Sequence, residues 1–367
     1  MKAVIVSSSY SYLERVELLK EYYDSKGYET TVLLTDFIHA NKNFAKWEKE
    51  GYVLIPTYPY KKNISIARLY SHHKFSKDVA VQLKQLDIDI LHVLLPANSL
   101  AKVAKQYKDQ YPNVKLHLDI IDLWPETMPI SKFKRTYPFE YWRSLRDNYL
   151  DNADVVYCEC DLFTTTMERQ QDERFKTLYW VKTSEPVTST PVLSKDKLHL
   201  CYLGSVNNVI DIDYIVSMCV ELEKRVKVVL HVVGEGEKRA ELLKRTMETG
   251  VEVIYHGFVF EPEKKQAIFD KCHFGLNIMK SSVCVGLTMK SLDYFQAGLP
   301  MINNIDGDTA EMIAAHNIGF NGYHALLEHL DELQEEDFLA MRRNVRELYY
   351  EKFTKEAFVK RLEENDG

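Results

Sequence analysis

The chain has 367 residues, of which 46% are hydrophobic and 28% charged, and this balance predicts a globular protein of two domains. A formal net charge of −7 argues against a general nucleic-acid binder, because such proteins carry an excess of Lys and Arg. No apolar run is long enough to cross a bilayer, no signal sequence opens the chain, and the six cysteines are scattered. We therefore expect a soluble, reduced, cytoplasmic protein.

Strands rich in β-branched residues alternate with helical patterns through the first half, as in parallel sheets covered on both faces. The predicted elements are strand 2–6, helix 13–25, strands 30–34 and 52–55, helix 64–86, strand 88–95, helix 99–108, strands 115–121 and 154–157, helix 162–169 and strand 177–181. Residues 183–197 are rich in Thr, Ser and Pro without periodicity, and we predict an interdomain linker there.

The second half restarts the same alternation. The predicted elements are strand 198–203, helix 213–224, strand 226–233, helix 237–248, strand 251–255, helix 262–271, strand 274–278, a short helix around 290–293 and a strand from 301. The sequence thus predicts two open α/β sheets in series, spanning residues 1–182 and 198–340, with ligands at the carboxyl ends of the strands. Residues 341–367 are predicted to be helical and to pack back across the domain interface.

The most informative segment reads Lys-Ser-Leu-Asp-Tyr-Phe-Gln-Ala-Gly-Leu-Pro, at residues 290–300. It predicts a β-loop-α-β unit with a helix start that can hold a phosphate. The free N–H groups around Gly286, Leu287 and Thr288, in the loop before the helix, would point at a diphosphate. Lys290 would add a positive charge, and Asp293 would accept hydrogen bonds from two ribose hydroxyls. In the alternative interpretation, Lys290 is a solvated helix residue and Asp293 only favours the positive end of the helix dipole.

Three further motifs accompany this segment: Leu-Gly at 203–204, Val-Gly-Glu-Gly at 233–236 and His-Gly-Phe-Val at 256–259. Together they resemble the nucleotide-binding domain of GT-B glycosyltransferases, in particular the retaining, family 4-like group that builds bacterial capsule and exopolysaccharide. The resemblance implies two Rossmann-like domains facing each other across a cleft, the first binding the acceptor and the second the nucleotide sugar. It also implies transfer of a hexose, from a UDP-sugar by preference, to a saccharide or polyprenyl-linked acceptor, with retention of configuration.

The nucleotide-sugar-binding residues that the resemblance implies are Gly204, Ser205, Gly234, Glu235, Phe258, Gly286, Leu287, Thr288, Lys290 and Asp293. The family commonly has two glutamates eight residues apart, and here Val285 and Asp293 occupy those positions. The basic pair that often follows the first glycine is also missing. Phosphate charge would then fall more heavily on Lys290, on Lys280 and on the helix N-terminus, and we expect Lys290 to stabilise the departing diphosphate. A lone Gly-x-Gly such as that at 234–236 is equally compatible with a simple turn between core elements.

Carboxylates at the end of strand 115–121 are the candidates for chemistry in the first half. Asp119 and Asp122 would position the sugar or the acceptor, or serve as general base if the enzyme inverts. Trp124 would supply an apolar wall, and Glu126 is a weaker candidate. Asp122 as a turn or helix cap and Trp124 as a packed core aromatic remain open alternatives.

No metal or other cofactor is predicted. The three Asp-x-Asp pairs, at 87–89, 211–213 and 306–308, lie before a strand, at a helix start and in a turn, unlike a catalytic metal motif. Cys158 and Cys160 lack a second pair at zinc spacing and are interpreted as core cysteines, and His72 and His73 as surface or cleft residues.

Basic residues interleaved with Tyr, Phe and Trp at 132–146 suit a lipid headgroup interface, which predicts a peripheral contact with the inner face of the cell membrane. An ordinary solvated helix is the alternative for this segment. Two rival functions also remain: a non-catalytic GT-B subunit that binds a glycan or a protein partner, and a nucleotide-sugar 2-epimerase of the same architecture.

Overall fold

The computed structural model describes residues 1–62, 65–128 and 136–365. The chain divides into two compact units, which we call the first unit (Met1–Trp180 with Val359–Gly367) and the second unit (Val181–Phe358). Each unit contains one parallel sheet flanked by helices. The predicted α/β class with two Rossmann-like domains is confirmed.

The first unit is built on a seven-stranded parallel sheet in the order β5-β2-β1-β6-β7-β8-β9. Its strands are β1 (Lys2–Ser7), β2 (Glu29–Thr35), β5 (Tyr52–Ile55), β6 (Ile90–Leu95), β7 (Lys115–Ile120), β8 (Val155–Cys158) and β9 (Phe175–Thr177), and a separate antiparallel pair is formed by β3 (Phe37–Ile38) and β4 (Asn43–Phe44). Its helices are α1 (Leu13–Ser25), α2 (Ile66–Leu83), α3 (Ser99–Gln110), α4 (Tyr137–Asp147) and α5 (Asp161–Thr166). All six residues of β6 are buried, as expected for a central strand covered on both faces.

The second unit contains a six-stranded parallel sheet in the order β12-β11-β10-β13-β14-β15. Its strands are β10 (Lys197–Leu203), β11 (Lys227–Val233), β12 (Glu252–Gly257), β13 (Phe274–Asn277), β14 (Met301–Asn303) and β15 (Gly319–Asn321). Its helices are α6 (Ile212–Glu223), α7 (Arg239–Met247), α8 (Pro262–Phe269), α9 (Met289–Ala297), α10 (Asp308–His316), α11 (Tyr323–His329) and α12 (Glu335–Lys352). A last helix, α13 (Lys355–Glu363), runs from residues of the second unit into the C-terminal residues of the first.

Most predicted elements are present, and two of them, α1 and β5, have the predicted bounds. The strand predicted over 177–181 is wrong, because β9 ends at Thr177. The carbonyl oxygens of Leu178 and Tyr179 instead accept hydrogen bonds from Arg15 Nη1, at 2.9 and 3.4 Å. The β3–β4 pair, α10, β15 and α11 were not predicted.

Residues 183–196, most of the predicted linker, contain neither helix nor strand. At the other end of the chain, Glu363 forms an ion pair with Lys26 of α1 at 2.6 Å, so the C-terminal residues pack within the first unit. Within the described ranges, every helix is too short or too polar to span a membrane.

Candidate functional site

Two glycine-containing loops lie side by side where β10 and β11 end. Backbone hydrogen bonds join them, from Val206 N to the Glu235 carbonyl and from Lys238 N to the Val206 carbonyl, both at 2.9 Å. Gly234 and Gly236 have φ of +128° and +153°, and a Cβ at either would lie 2.2 Å from a carbonyl oxygen of the neighbouring loop. These two glycines are therefore required for the close approach of the loops to each other.

Gly204 differs from these two glycines. It too has positive φ, +109°, but no heavy atom lies within 4 Å of the position that a Cβ would take. The end of β10 is thus open at Gly204, and an incoming group can approach its backbone closely. Of the predicted glycines 204 and 234, it is Gly204 that has free space beside it.

The loop before α9 is fixed from within the protein. The Gly286 carbonyl accepts hydrogen bonds from Thr309, from the amide at 2.9 Å and the hydroxyl at 2.7 Å. Thr288 caps α9 by accepting a hydrogen bond from Ser291 N at 3.1 Å, and its hydroxyl donates to Asn277 Oδ1 at 2.9 Å. Gly286, Leu287 and Thr288 are all buried, and these contacts hold the start of α9 in place.

Packing against β10 and β13 sets the position of α9. The Tyr294 hydroxyl accepts a hydrogen bond from Leu203 N at 2.9 Å and donates to the Cys201 carbonyl at 3.0 Å. Its ring lies against Gly275, where a Cβ would come within 2.8 Å of the ring carbons. Lys290 precedes Tyr294 by one helical turn, so it lies on the same face of α9 and reaches the end of β10.

Lys290 has a buried ammonium group. Its Nζ lies 4.6 Å from the centroid of the Tyr202 ring and makes no hydrogen bond with any part of the chain that the structure describes. Burial lowers the pKa of Lys290 to about 8. The Tyr202 hydroxyl donates to the Ser205 carbonyl at 2.9 Å, so Lys290 lies beside the Gly204–Ser205 loop. The structure thus brings together three of the predicted residues.

Asp293 already has charged neighbours. Its Oδ1 is 2.8 Å from the Lys265 ammonium and 3.3 Å from that of Lys182. One turn on, Gln296 donates to the Ser184 carbonyl at 2.6 Å. Asp293 therefore ties α9 to α8 and to the segment after Val181, and it is not an isolated carboxylate. A ribose hydroxyl that binds Asp293 therefore competes with two lysines for the carboxylate.

Glu235 is likewise engaged. Its carboxylate accepts a hydrogen bond from Arg239 Nη1 at 2.6 Å and another from the Tyr255 hydroxyl. Arg239 places a guanidinium near the ends of β11 and β12 and was not among the predicted site residues. The only signal was a basic residue five positions after Gly234, at the start of a predicted helix. Phe258 follows β12 with 64% of its surface exposed, and its ring stacks on Phe260 with centroids 5.5 Å apart.

Asp119 of the first unit does not fit the predicted catalytic role. It has no exposed surface, and Arg15 binds both of its oxygens, at 2.7 and 2.8 Å. Burial acts to raise the pKa of Asp119, but Arg15 and His92 outweigh it and hold that pKa below the usual value. The pair joins α1 to β7 inside the core, so Asp119 has no free face for a substrate. We correct its assignment to a structural residue.

Asp122, three residues further on, is half-buried and accepts a hydrogen bond from the Tyr12 hydroxyl. Burial raises the pKa of Asp122, while Tyr12 and the nearby Arg68 act in the opposite direction. Asp122 therefore stays a candidate for acid–base chemistry. Among the described residues, Asp122 caps no helix and takes part in no buried ion pair.

Trp124 lies next to a cation and a neutral imidazole. The Arg68 guanidinium is 4.1 Å from the centroid of its ring, and the His72 ring is parallel to it at 6.2 Å. His72 is buried, contrary to a surface position, and burial lowers its pKa to about 3. Glu126 accepts hydrogen bonds from Arg143 and Arg146, which assigns it to holding this loop in place.

Two other predictions have partial outcomes. Cys158 and Cys160 are buried and free, as expected of core cysteines. Of the segment predicted to contact a membrane, residues 132–135 lie outside the described residues, and the remainder forms α4.

Comparison with known proteins places these features in a family context. Residues 197–336 match the family model described as "Glycosyl transferases group 1". A comparison with curated proteins gave no significant match. The solved structure of the lipopolysaccharide outer core galactosyltransferase WaaB, in its apo form, is similar with a TM-score of 0.69 at 14% identity, covering 100% of this chain and 99% of that chain.

Two further solved structures are similar over nearly the whole chain. Sucrose-phosphate synthase from Thermosynechococcus elongatus has a TM-score of 0.67 at 13% identity, covering 99% of this chain and 98% of that chain. Anabaena Alr3699/HepE in complex with UDP-glucose has a TM-score of 0.64 at 12% identity, with the same shares covered. The chain therefore has the GT-B fold, and the match to the group 1 glycosyl transferase model covers most of its second unit.

Proposed function

We propose that this protein transfers a hexose from a nucleotide diphosphate sugar, and that the second unit holds the donor diphosphate at the end of β10. The observation that carries the proposal is the buried Lys290 ammonium, which lacks a hydrogen-bond partner in the described chain. A charged group in such surroundings is costly unless an opposite charge accompanies it. A diphosphate beside the open Gly204 supplies that charge.

The same arrangement suits departure of the nucleotide. Negative charge develops on the leaving diphosphate as the bond to the sugar breaks, and a cation already fixed in place stabilises it without reorganisation. Tyr202 and the capped start of α9 hold Lys290 in position. Phe258 and Phe260 offer an exposed aromatic surface for the base. In this proposal the group that leaves is a nucleoside diphosphate bound by Lys290.

We favour UDP as the nucleotide and retention of configuration, with the leaving phosphate accepting the acceptor proton. Support for UDP comes from HepE, whose solved structure contains UDP-glucose, and support for a role in surface polysaccharide from the name of WaaB. The acceptor in this proposal is a saccharide or a polyprenyl-linked saccharide of a capsule or exopolysaccharide, reached at the membrane. If the enzyme inverts, Asp122 is the remaining candidate for general base.

A non-catalytic GT-B subunit is the second candidate. It is favoured by Val285, which replaces a usual glutamate, and by the two lysines that already neutralise Asp293. Such a subunit would neither hydrolyse nor transfer a sugar from any donor.

Calorimetric titration with UDP, GDP, CMP and their sugars, followed by product analysis of each mixture, tests the proposal. We expect one nucleotide to bind, one sugar donor to be slowly hydrolysed, and Lys290→Met to weaken both. Lys244→Met is the matched control, since the Lys244 side chain is 75% exposed on α7. Binding of no nucleotide would overturn the donor site and favour the non-catalytic subunit.

A further inference from the structure

A cavity of about 730 Å³ lies between α2, α3 and α4 of the first unit. One end is at Asn98, just after β6, and the cavity continues along the helices to Ala80 and Gln106. The stretch of α2 that lines it, from Ser65 to Ala80, corresponds to about 22 Å at the rise of an α-helix. The cavity therefore extends from the carboxyl end of the sheet along the helices, away from where a sugar at that end would lie.

Apolar side chains form most of the cavity wall. On α4 only Arg146 is buried, while Phe139, Trp142 and Leu145 line the cavity with a spacing of three residues. At the start of α2, Ile66 and Leu69 also line it and are 85% and 42% exposed. Apolar groups left uncovered on one face of a soluble domain mark a binding surface.

The wall is held in place by a buried amide. Asn98, which is 2% exposed, donates through Nδ2 to the carbonyl oxygens of Trp124 and Trp142, at 2.9 and 3.1 Å. This contact joins the start of α3 to the Trp124 loop and to α4. The cavity is therefore formed by elements that are tied together, which favours a preformed site.

The charged groups around the cavity are all basic. The described residues that line it include Arg68, Lys77 and Lys102 but no Asp or Glu. On the same helices, Lys74 and Lys105 form ion pairs with carboxylates one turn on, whereas the described chain provides no ion pair for Lys77 or Lys102. Unpaired cations beside an apolar wall match a ligand with a hydrocarbon part and a negative charge.

We infer that this cavity binds the hydrocarbon chain of an anionic lipid, with the lipid phosphate at Lys77 and Lys102. The apolar wall and its length favour a hydrocarbon chain over an oligosaccharide, and the basic rim favours a lipid phosphate over a neutral lipid. The assignment of this lipid as the carrier of the acceptor sugar rests on the proposed function. The lipid site itself does not, because every residue that forms it belongs to the first unit.

Farnesyl phosphate, titrated calorimetrically into the full chain below its micelle concentration, is the probe. We expect farnesyl phosphate to bind at least tenfold more tightly than farnesol. Inorganic phosphate should show no detectable binding. Val103→Phe fills the cavity and should weaken binding at least tenfold. Val81→Phe is its control, since Val81 is 56% exposed on α2 and does not line the cavity. Lys102→Glu should weaken binding similarly, and Lys105→Glu, on the same helix, by less than threefold.

Thermal melting of each variant shows whether it folds, and UDP titration of the same samples separates the two proposals. Lipid binding without UDP binding would remove the proposed donor site and leave the lipid site standing. Failure of the folded wild type to bind farnesyl phosphate would overturn the inference. Equal binding of farnesyl phosphate by wild type and Val103→Phe would overturn it too. A wild-type dimer that dissociates in Val103→Phe would also overturn it, because the surface would then belong to an interface with a second copy of the chain.

Discussion

Replacing Lys290 by Met should stabilise the ligand-free protein and weaken nucleotide binding. A pKa near 8 rather than 10.5 corresponds to a penalty of about 3 kcal/mol on the charged lysine in the folded state. Met keeps the apolar stem and removes the charge, so the free energy of unfolding at pH 7 should rise by about 2–3 kcal/mol. The same change removes the proposed phosphate contact, and loss of one charge-assisted hydrogen bond should weaken UDP binding by roughly 10–100-fold.

The destabilisation that charged Lys290 causes should depend on pH. Because folding lowers the pKa of Lys290, the penalty is fully present below about pH 8 and disappears as the pH rises towards 10.5. Urea unfolding of wild type and Lys290→Met at pH 7 and pH 9.5 should therefore show a smaller difference at the higher pH. Lys244→Met should change the free energy of unfolding by less than about 0.5 kcal/mol at either pH. A Lys290→Met variant that is less stable than wild type at pH 7, or one that binds UDP normally, would refute the reasoning.

Three further predictions follow from the same geometry. UDP affinity of the wild type should fall by up to about tenfold per pH unit above about pH 8, because Lys290 loses its proton there. Lys290→Arg should remove that pH dependence. An equal fall of affinity in both proteins, measured by calorimetry, would contradict a phosphate contact by Lys290. Asp119→Asn leaves Arg15 without its charge partner and should lower the free energy of unfolding by about 3–5 kcal/mol in urea titrations, whereas a folded variant of normal stability with no activity would restore the catalytic role. Gly236→Ala should lower the free energy of unfolding by at least about 2 kcal/mol, since its Cβ would lie 2.2 Å from the Val206 carbonyl oxygen. Gly204→Ala should lower it by only about 1 kcal/mol and should mainly weaken UDP binding. Similar losses of stability at the two positions would show that the space beside Gly204 is not open.

The sequence was sufficient for the fold because alternation of β-branched strands and amphipathic helices is a local pattern. Helix α1 contains the buried positions Val16, Leu19, Tyr22 and Tyr23, whose spacing marks one face, and its bounds were predicted correctly. For residues 132–146 an ordinary helix was only the alternative to a membrane contact, because a local pattern does not show what covers the apolar residues of α4, of which the domain core buries none.

The candidate site was predictable in part. Lys290 could be identified from its motif, but its burial depends on how Tyr294 packs against Gly275 and β10, which no local pattern contains. The misassigned Asp119 shows the same limit, since its partner Arg15 lies 104 residues away in the sequence. A carboxylate at a strand end has the same local pattern whether it contacts a substrate or a buried arginine.

The neighbours of Asp293 also come from distant segments. Lys182 precedes the predicted linker and Lys265 lies on α8, and only the folded second unit brings both within 3.3 Å of one carboxylate oxygen. The role of Asp293 towards a ribose is therefore still a prediction, and its structural role is the one that the contacts describe.

A structure of the protein with bound UDP tests the central claim most directly. We expect a phosphate oxygen of UDP within about 3.2 Å of Lys290 Nζ, beside Gly204 at the end of β10. UDP bound elsewhere, or bound with the Lys290 ammonium still unpaired over Tyr202, would contradict the account.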